Sequence, residues 1–492
     1  MSEHKTTIGL EIHAELKTKS KMFCSCVNDP DEERPNINVC PICLAHPGVL
    51  PVINEEAVNK VIKTGLSLNC NIAEHSSFDR KSYFYPDLPK GYQISQYSFP
   101  LCKKGFLEIN NKKIKINRIH LEEDVGKLIH EDGYSLVDFN RAGIPLMELV
   151  TEPNIETAEE AMKFAQEFQL ILRYLDVSDA NMEKGQMRVE VNISIAKKGA
   201  EKLGSKVEIK NLNSFKSVEG AIKFEVERQK NVLESGEKVI QETRGWLEKK
   251  GETISQRIKE EAHDYRYFPE PDLPLLQFKK EEIDLISSSI PELPKQKRER
   301  FKKQYELGEE EIESFVLNRE LSFFFEKVIS ELGNWIKSSN KKDLTKKDLI
   351  KTYKIASNYI ITDIRGLLNS TDKEERTSGI PITPENFAEF VNLIFKGEIS
   401  SKIAKIVLKE MFLTKADPSN IIKEKGLTQI NDESEIEEIA KKVISKNQKA
   451  VEDFKKGKTN ALQFLIGQLM AETKGRTNPE TADKILNKLI NS

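Results

Sequence analysis

From Ile8 to Leu16 the chain alternates apolar and polar positions: Ile8, Leu10, Ile12, Ala14 and Leu16 fall on one face, Glu11, His13 and Glu15 on the other. Successive side chains of a strand point to opposite faces, so this period of two fits a half-buried strand. Arg188 to Ile195 repeats it, with Val189, Val191, Ile193 and Ile195 on the apolar side and Arg188, Glu190, Asn192 and Ser194 on the polar side. Ile114, Ile116, Ile119 and Leu121 predict a third strand whose parity slips near Arg118, as at a β-bulge, and which runs into Glu122-Glu123-Asp124. A helix is expected at about 157 to 175, because Thr157 and Glu160 form a capping-box pattern ahead of the stripe Ala158, Ala161, Ala165, Phe168, Leu172 and Leu175. Strands and helices mixed in this way predict an α+β fold with substantial antiparallel sheet.

A chain of 492 residues is too long for one ordinary core, so two or three domains are expected. Near Pro291-Glu292-Leu293-Pro294 the texture changes to Lys/Glu-rich segments of helical period. No apolar run reaches the length of a membrane span, and the N-terminus lacks the pattern of a signal peptide, so a cytoplasmic protein is the expectation. The net charge of -3 gives no global attraction for nucleic acid, but residues 441–492 hold 11 Lys/Arg against 5 Asp/Glu. Any nucleic-acid contact must therefore be local.

Four of the six cysteines cluster as Cys24-x-Cys26 and Cys40-x-x-Cys43. Two close pairs of thiolates suit one tetrahedral Zn²⁺, and four protein ligands leave no position for water or substrate. That implies a structural staple. Cys70 and Cys102 have no partner pattern and read as core residues.

Glu11 and His13, two apart on a strand, emerge on one face about 7 Å apart along it. Glu190 and Asn192 repeat the arrangement, Glu122 to Asp124 end another strand, and Glu148 sits in the apolar run Ile144 to Val150, where a lone carboxylate would be costly. Carboxylates converging from several strands suit Mg²⁺, which prefers oxygen ligands and works with phosphates. From spacing alone, a Mg²⁺ site and a face of solvated acids both stay open. Phe78 to Gln93 and Asp264 to Pro271 are dense in aromatics, cations and prolines, fit to stack a base, grip phosphate or simply pack as loops. The chain has no Gly-rich phosphate loop of the Gly-Lys-Ser/Thr type, no dinucleotide turn and no Gly-x-Ser-x-Gly elbow. ATP, if used, is held in another way.

Several motifs together resemble one family: Ile8 to Leu16, Tyr83 to Asp87, Tyr92 to Gln96, His120 to Lys127, Asp138 to Glu148, Glu208 to Phe215 and Asp264 to Pro271. In order and over essentially the whole chain, they are similar to the B subunits of the aspartyl/glutamyl-tRNA amidotransferases. The resemblance implies an α+β glutamine synthetase-like catalytic cradle at 1–293 that carries the zinc-binding loop. An all-α helical region at 294–415 and a YqeY-like tRNA-binding tail at 416–492 would follow. It implies Mg²⁺ at Glu11, His13, Glu123 and Glu148, with Glu190 at a nearby position for a second metal. Lys81, Tyr83 and Lys90 match positions near a passage for ammonia. Ala461 to Met470 matches the tail, where Lys455, Lys456, Lys458, Lys474 and Arg476 would meet tRNA phosphates. The activity implied is ATP-dependent amidation of Glu-tRNA(Gln) and/or Asp-tRNA(Asn) through an acyl phosphate, with ammonia from a glutaminase partner (the A subunit), in a heterotrimer completed by a C subunit. Two other readings stay in view: a ligase for a free amino acid, and a non-catalytic tRNA-binding adaptor.

Overall fold

The computed structural model describes residues 4–258, 265–338, 345–370, 379–427, 433–473 and 476–491. Its contacts cluster into two units, Met1–Pro294 and Lys295–Ser492.

The first unit is organised by a nine-stranded sheet. In spatial order its strands are Glu252–Ile258, Glu242–Leu247, Val207–Leu212, Met187–Lys197, His4–Glu15, Pro145–Thr151, Lys112–Glu123, Cys102–Ile109 and Asn71–Ile72. Neighbours are antiparallel except for Val207–Leu212 beside Glu242–Leu247. That parallel pair is joined through the helix Phe215–Glu234, as a parallel connection requires. The expected α+β character and antiparallel sheet are both present. The parity slip also has its cause: Val150 pairs with Arg118 but Thr151 pairs with Ile116, so Asn117 is the extra residue of a bulge.

His4–Glu15 lies at the centre, and its apolar side (Ile8, Leu10, Ile12, Ala14) is essentially fully buried. Met147, Leu149, Val189, Val191 and Ile193 extend that face into one core. The helices Glu55–Ser67, Ala158–Tyr174 and Phe215–Glu234 cover it. Each large aliphatic side chain so buried contributes about 1.5–3 kcal/mol. In the helix Ala158–Tyr174 the cap is as expected on one side only. Thr157 Oγ1 accepts from Glu160 N–H at 3.1 Å, while the Glu160 carboxylate reaches the Glu156 N–H at 2.9 Å. With helices on one face, the polar face of the sheet is left for chemistry.

The second unit is helical among its described residues. Phe301, Phe315, Phe325, Phe387 and Phe390 are buried there, with the Phe315 and Phe325 rings stacked at 4.6 Å. Near the C-terminus the helices Glu433–Lys446, Thr459–Glu472 and Pro479–Asn491 share a small core that includes Val443, Leu465, Leu469 and Leu486. Among the described residues no helix is long and apolar enough to cross a membrane.

Candidate active site

Register builds the site. His13 pairs with Glu148 and Glu11 with Glu190 across the central strand, while Glu148 pairs with His120 and Leu146 with Glu122. Directly paired residues share a face. Glu11, His13, Glu122, Glu148, His120 and Glu190 therefore all rise on the face opposite the core. His13 Nε2 lies 3.4 Å from both Glu122 Oε1 and Glu148 Oε2, and 3.8 Å from Glu11 Oε1. His120 Nε2 lies 3.5 Å from Glu148 Oε2, and among the described residues its buried Nδ1 has no hydrogen-bond partner. Ligand atoms of Glu11, His13 and Glu148 fall within 4.8 Å of one another, and so do those of His120, Glu122 and Glu148, with Glu148 common to both groups. The cluster borders an open cleft of about 190 Å³, to which Lys81, Arg188 and Lys210 bring cations.

The electrostatics show how crowded the acids are. Burial, then the charge of Glu148, pushes the Glu11 carboxyl up to about 7. Burial disfavours the His13 cation, but hydrogen bonds to Glu122 and Glu148 outweigh it and raise His13 well above its usual value. Glu122 and Glu148 are held below the ordinary carboxylate range despite burial, Glu122 chiefly by His13 and Glu148 by His120 and His13. Lys81, half-buried, is held protonated chiefly by Glu122, with Glu148 adding to it. Three clustered carboxylates with a histidine form an oxygen-rich donor set, which fits a hard divalent cation such as Mg²⁺.

Glu123 does not stand where the resemblance puts it. It follows Glu122 on the strand and so points to the opposite side of the sheet. There its carboxylate takes the Lys90 ammonium at 2.6–2.7 Å and the Ile94 N–H at 2.9 Å. Glu122 is the residue brought to His13. The signal was in the sequence: beyond the bulge Ile119 and Leu121 face the core, so Glu123 has core parity and Glu122 has the parity of the polar face. His120, Arg188 and Lys210 are further members of the site to which sequence reasoning assigned no role, though His120 and Lys210 fall within the family-like motifs and His120 and Arg188 share the polar parity of their strands. Glu190 joins the face, but its carboxylate is engaged by Lys210 Nζ at 2.8 and 3.0 Å. With Glu11 and Glu208 it forms a further group of close oxygens.

Lys81 and Tyr83 border the acid cleft, whereas Lys90 borders a second cavity of about 210 Å³ with Glu123, Cys24, Cys43 and Asp272. The two aromatic and basic segments pack together. Phe268–Pro269 pairs with Asp79 and Arg80, and the Arg80 guanidinium grips Glu270 at 2.7 and 2.8 Å beneath the Tyr92 ring. Lys81 Nζ lies 5.0 Å from the Tyr265 ring centre. Asp264 lies outside the described residues.

Cys24, Cys26, Cys40 and Cys43 converge, all four sulfurs within 4.8 Å of one another. Cys40 and Cys43 Sγ are 3.9 Å apart, against about 3.8 Å for the edge of a tetrahedron with Zn–S bonds of ~2.3 Å. The hydrogen bond from Cys24, the Cys40 N–H and Lys21 bring the Cys43 thiol down to about 5 against burial, while Cys24 is pushed up by its bond to Cys43. One thiol is therefore already disposed to ionise, and the donor set fits zinc. In the tail, Lys455, Lys456 and Lys458 are exposed around one turn that leads into the helix Thr459–Glu472, and Arg476 follows its other end. A 14-residue helix separates them by roughly 20 Å, so they form two places and not one patch. Lys474 lies outside the described residues.

The sheet and its acid–histidine cluster lie within a stretch that matches a family of catalytic domains. Residues 6–284 match the family described as GatB/GatE catalytic domain, and residues 343–490 match the GatB domain. The chain is 46% identical to the B subunit of the aspartyl/glutamyl-tRNA(Asn/Gln) amidotransferase of Carboxydothermus hydrogenoformans, covering 99% of this chain and 98% of that protein. It is 48% identical to the proteins of the same name from Caldanaerobacter subterraneus subsp. tengcongensis (98% of each) and Persephonella marina (99% of this chain, 100% of that protein). This chain belongs to the family of aspartyl/glutamyl-tRNA(Asn/Gln) amidotransferase B subunits.

Proposed function

We propose that this chain is the kinase and transamidase component of a tRNA-dependent amidotransferase, a carbon–nitrogen ligase of protein biosynthesis acting in the cytoplasm. It converts Glu-tRNA(Gln) and/or Asp-tRNA(Asn) to Gln-tRNA(Gln) and Asn-tRNA(Asn). The observation that carries this reading is the convergence of Glu11, His13, Glu122 and Glu148 at an open cleft edged by Lys81, Arg188 and Lys210. The first unit serves as the glutamine synthetase-like cradle, 294–415 as the helical region and 416–492 as the YqeY-like tail that meets tRNA. The glutaminase partner (the A subunit) supplies ammonia and the C subunit completes the heterotrimer, a reading supported by the relatives' being named as one component of a complex.

The side-chain carboxylate carried on tRNA is a poor acylating agent, because oxide is a bad leaving group. Its oxygen attacks the γ-phosphorus of ATP, ADP leaves, and an acyl phosphate forms. Glu11, His13, Glu122 and Glu148 would hold Mg²⁺, which when bound neutralises charge developing on the phosphoryl oxygens. Lys81 and Arg188 turn positive charge toward the cleft and favour the anionic phosphoryl group there. Ammonia then attacks the acyl carbon, phosphate leaves, and the amide nitrogen gives up a proton. Ammonium has no lone pair, so the attacking nitrogen must arrive neutral, and Lys81, Tyr83 and Lys90 border its route. The four cysteines hold a structural zinc.

Trapping tests the intermediate. With the A and C partners, Mg²⁺, ATP and Glu-tRNA, hydroxylamine in place of ammonia should give a hydroxamate on the tRNA-borne side chain. ATP consumption without any hydroxamate or amide would contradict the acyl phosphate.

A further inference from the structure

The Lys21 side chain is completely removed from solvent. Its ammonium donates to the Phe139 carbonyl at 3.2 Å and faces Cys43 Sγ at 3.8 Å. Among the described residues no carboxylate pairs with it. Burying a cation without a counter-charge is costly, and lysine is almost never fully buried unless partnered. The four cysteines beside it are the place where negative charge can form. Four thiolates around Zn²⁺ carry a net charge of -2, which turns the unpaired cation into half of a favourable pair.

We propose that Lys21 is the counter-cation of the tetracysteine metal centre, a positioning residue whose fixed charge and N–H···S contact hold zinc in the loop. This rests on the zinc reading of Cys24, Cys26, Cys40 and Cys43 given above. The same lysine ties the centre to the sheet. Its second bond ends on Phe139, the neighbouring Met22 N–H donates to Gly143 O at 2.7 Å, and Asn36 Oδ1 takes the Phe139 N–H at 2.8 Å. Gly143 sits at φ +85°, where a Cβ would come 3.6 Å from both Cys43 and Lys21. The turn 139–143 leads directly into Pro145–Thr151, the strand that bears Glu148. Partners just outside the ligand shell set metal affinity in this way elsewhere, and their loss costs about 10–100-fold.

The test uses the full chain and zinc alone, with affinity read by competition against a chromophoric chelator and stoichiometry by metal analysis. Wild type should bind one zinc per chain. Lys21→Met should lower the affinity about 10–100-fold, and Lys21→Arg, which keeps the charge, should recover most of it. Zinc in wild type with equal affinity in Lys21→Met overturns the role of Lys21 and leaves the cysteine reading standing. Absence of zinc from wild type overturns both. If Lys21→Met does not fold, Lys21→Arg decides: affinity near wild type supports the counter-cation, and loss as complete as in Cys40→Ser overturns it.

Discussion

The cysteine loop and the acid–histidine cleft both gather metal-type ligands, yet they are built in opposite ways. The loop takes all four sulfurs from within 20 residues and closes around them. The cleft takes Glu11 and His13 from the central strand, Glu122 and Glu148 from two others, and opens on one side. A closed tetrahedral set holds a fold together, whereas an open set leaves room for substrate oxygens. On the proposed reading, the contrast is that between a staple and a working centre.

Substitutions should therefore divide cleanly between the two places. The largest effect is expected at the cleft: His13→Ala or Glu148→Ala should lower the rate of phosphoryl transfer by at least about 10³-fold, the scale of losing a preorganised electrostatic group, while filter binding still detects tRNA affinity near wild type. Turnover within a few-fold of wild type in either variant would remove the metal assignment. Next comes a neighbouring pair that tests the facing of one strand. Glu122→Gln should approach the same loss. Glu123→Gln should keep ATP-dependent phosphorylation within about tenfold but lower the unfolding free energy by about 1.5–3 kcal/mol, because it removes the charge that binds the half-buried Lys90 ammonium and the Ile94 N–H. The reverse ranking in kinetics and urea melts would return Glu123 to the metal. At the loop, Cys40→Ser should release zinc and lower the thermal midpoint while leaving the rate of the folded fraction nearly intact; a rate loss as deep as that of His13→Ala would make the zinc more than a staple.

Titration sharpens the same division. The folded-state value of Glu11 is raised from 4.5 to about 7, and that of Glu15 to about 8. His13 is raised too. From above the ordinary carboxylate range up to about 8 these three groups hold more protons in the folded, metal-free chain than in the unfolded one, so their contribution to stability falls as pH rises through that window. His120, which burial lowers, opposes them. On the proposed reading Mg²⁺ replaces the Glu11 proton, so its stabilising effect in melts should grow as pH rises through about 7. A pH-independent Mg²⁺ effect would mean that Glu11 is not a ligand. The smallest effect belongs to the tail. Replacing Lys455, Lys456 and Lys458 with alanine should reduce the salt slope of tRNA binding by up to about 3, and an unchanged slope would take that turn out of recognition.

What the sequence discloses follows the same line. The cysteine spacing is local, so the metal loop could be read directly. The alternation at Ile8 to Leu16 and Arg188 to Ile195 disclosed two strands with their buried faces, and Thr157 and Glu160 marked a helix start. The cleft depends on register between strands more than 100 residues apart, such as His13 against Glu148, which no local pattern encodes. Within the acidic run, motif and parity point to different residues, Glu123 and Glu122, and the register brings Glu122 to His13. His120 and Lys210 became visible only when the strands were side by side. Lys21 looked like any surface lysine, because burial of a single polar side chain in a loop has no periodic signature.

The central claim is that the cleft activates an amino acid held on tRNA. The most direct measurement is ATP hydrolysis by this chain with its A and C partners, Mg²⁺ and ammonia, with Glu-tRNA or Asp-tRNA against no tRNA. The account predicts hydrolysis stimulated by mischarged tRNA, with amide appearing on the tRNA and both signals lost in Glu122→Gln. Equal hydrolysis with and without charged tRNA, or no amide while tRNA still binds, would contradict it and leave the chain as a tRNA-binding adaptor.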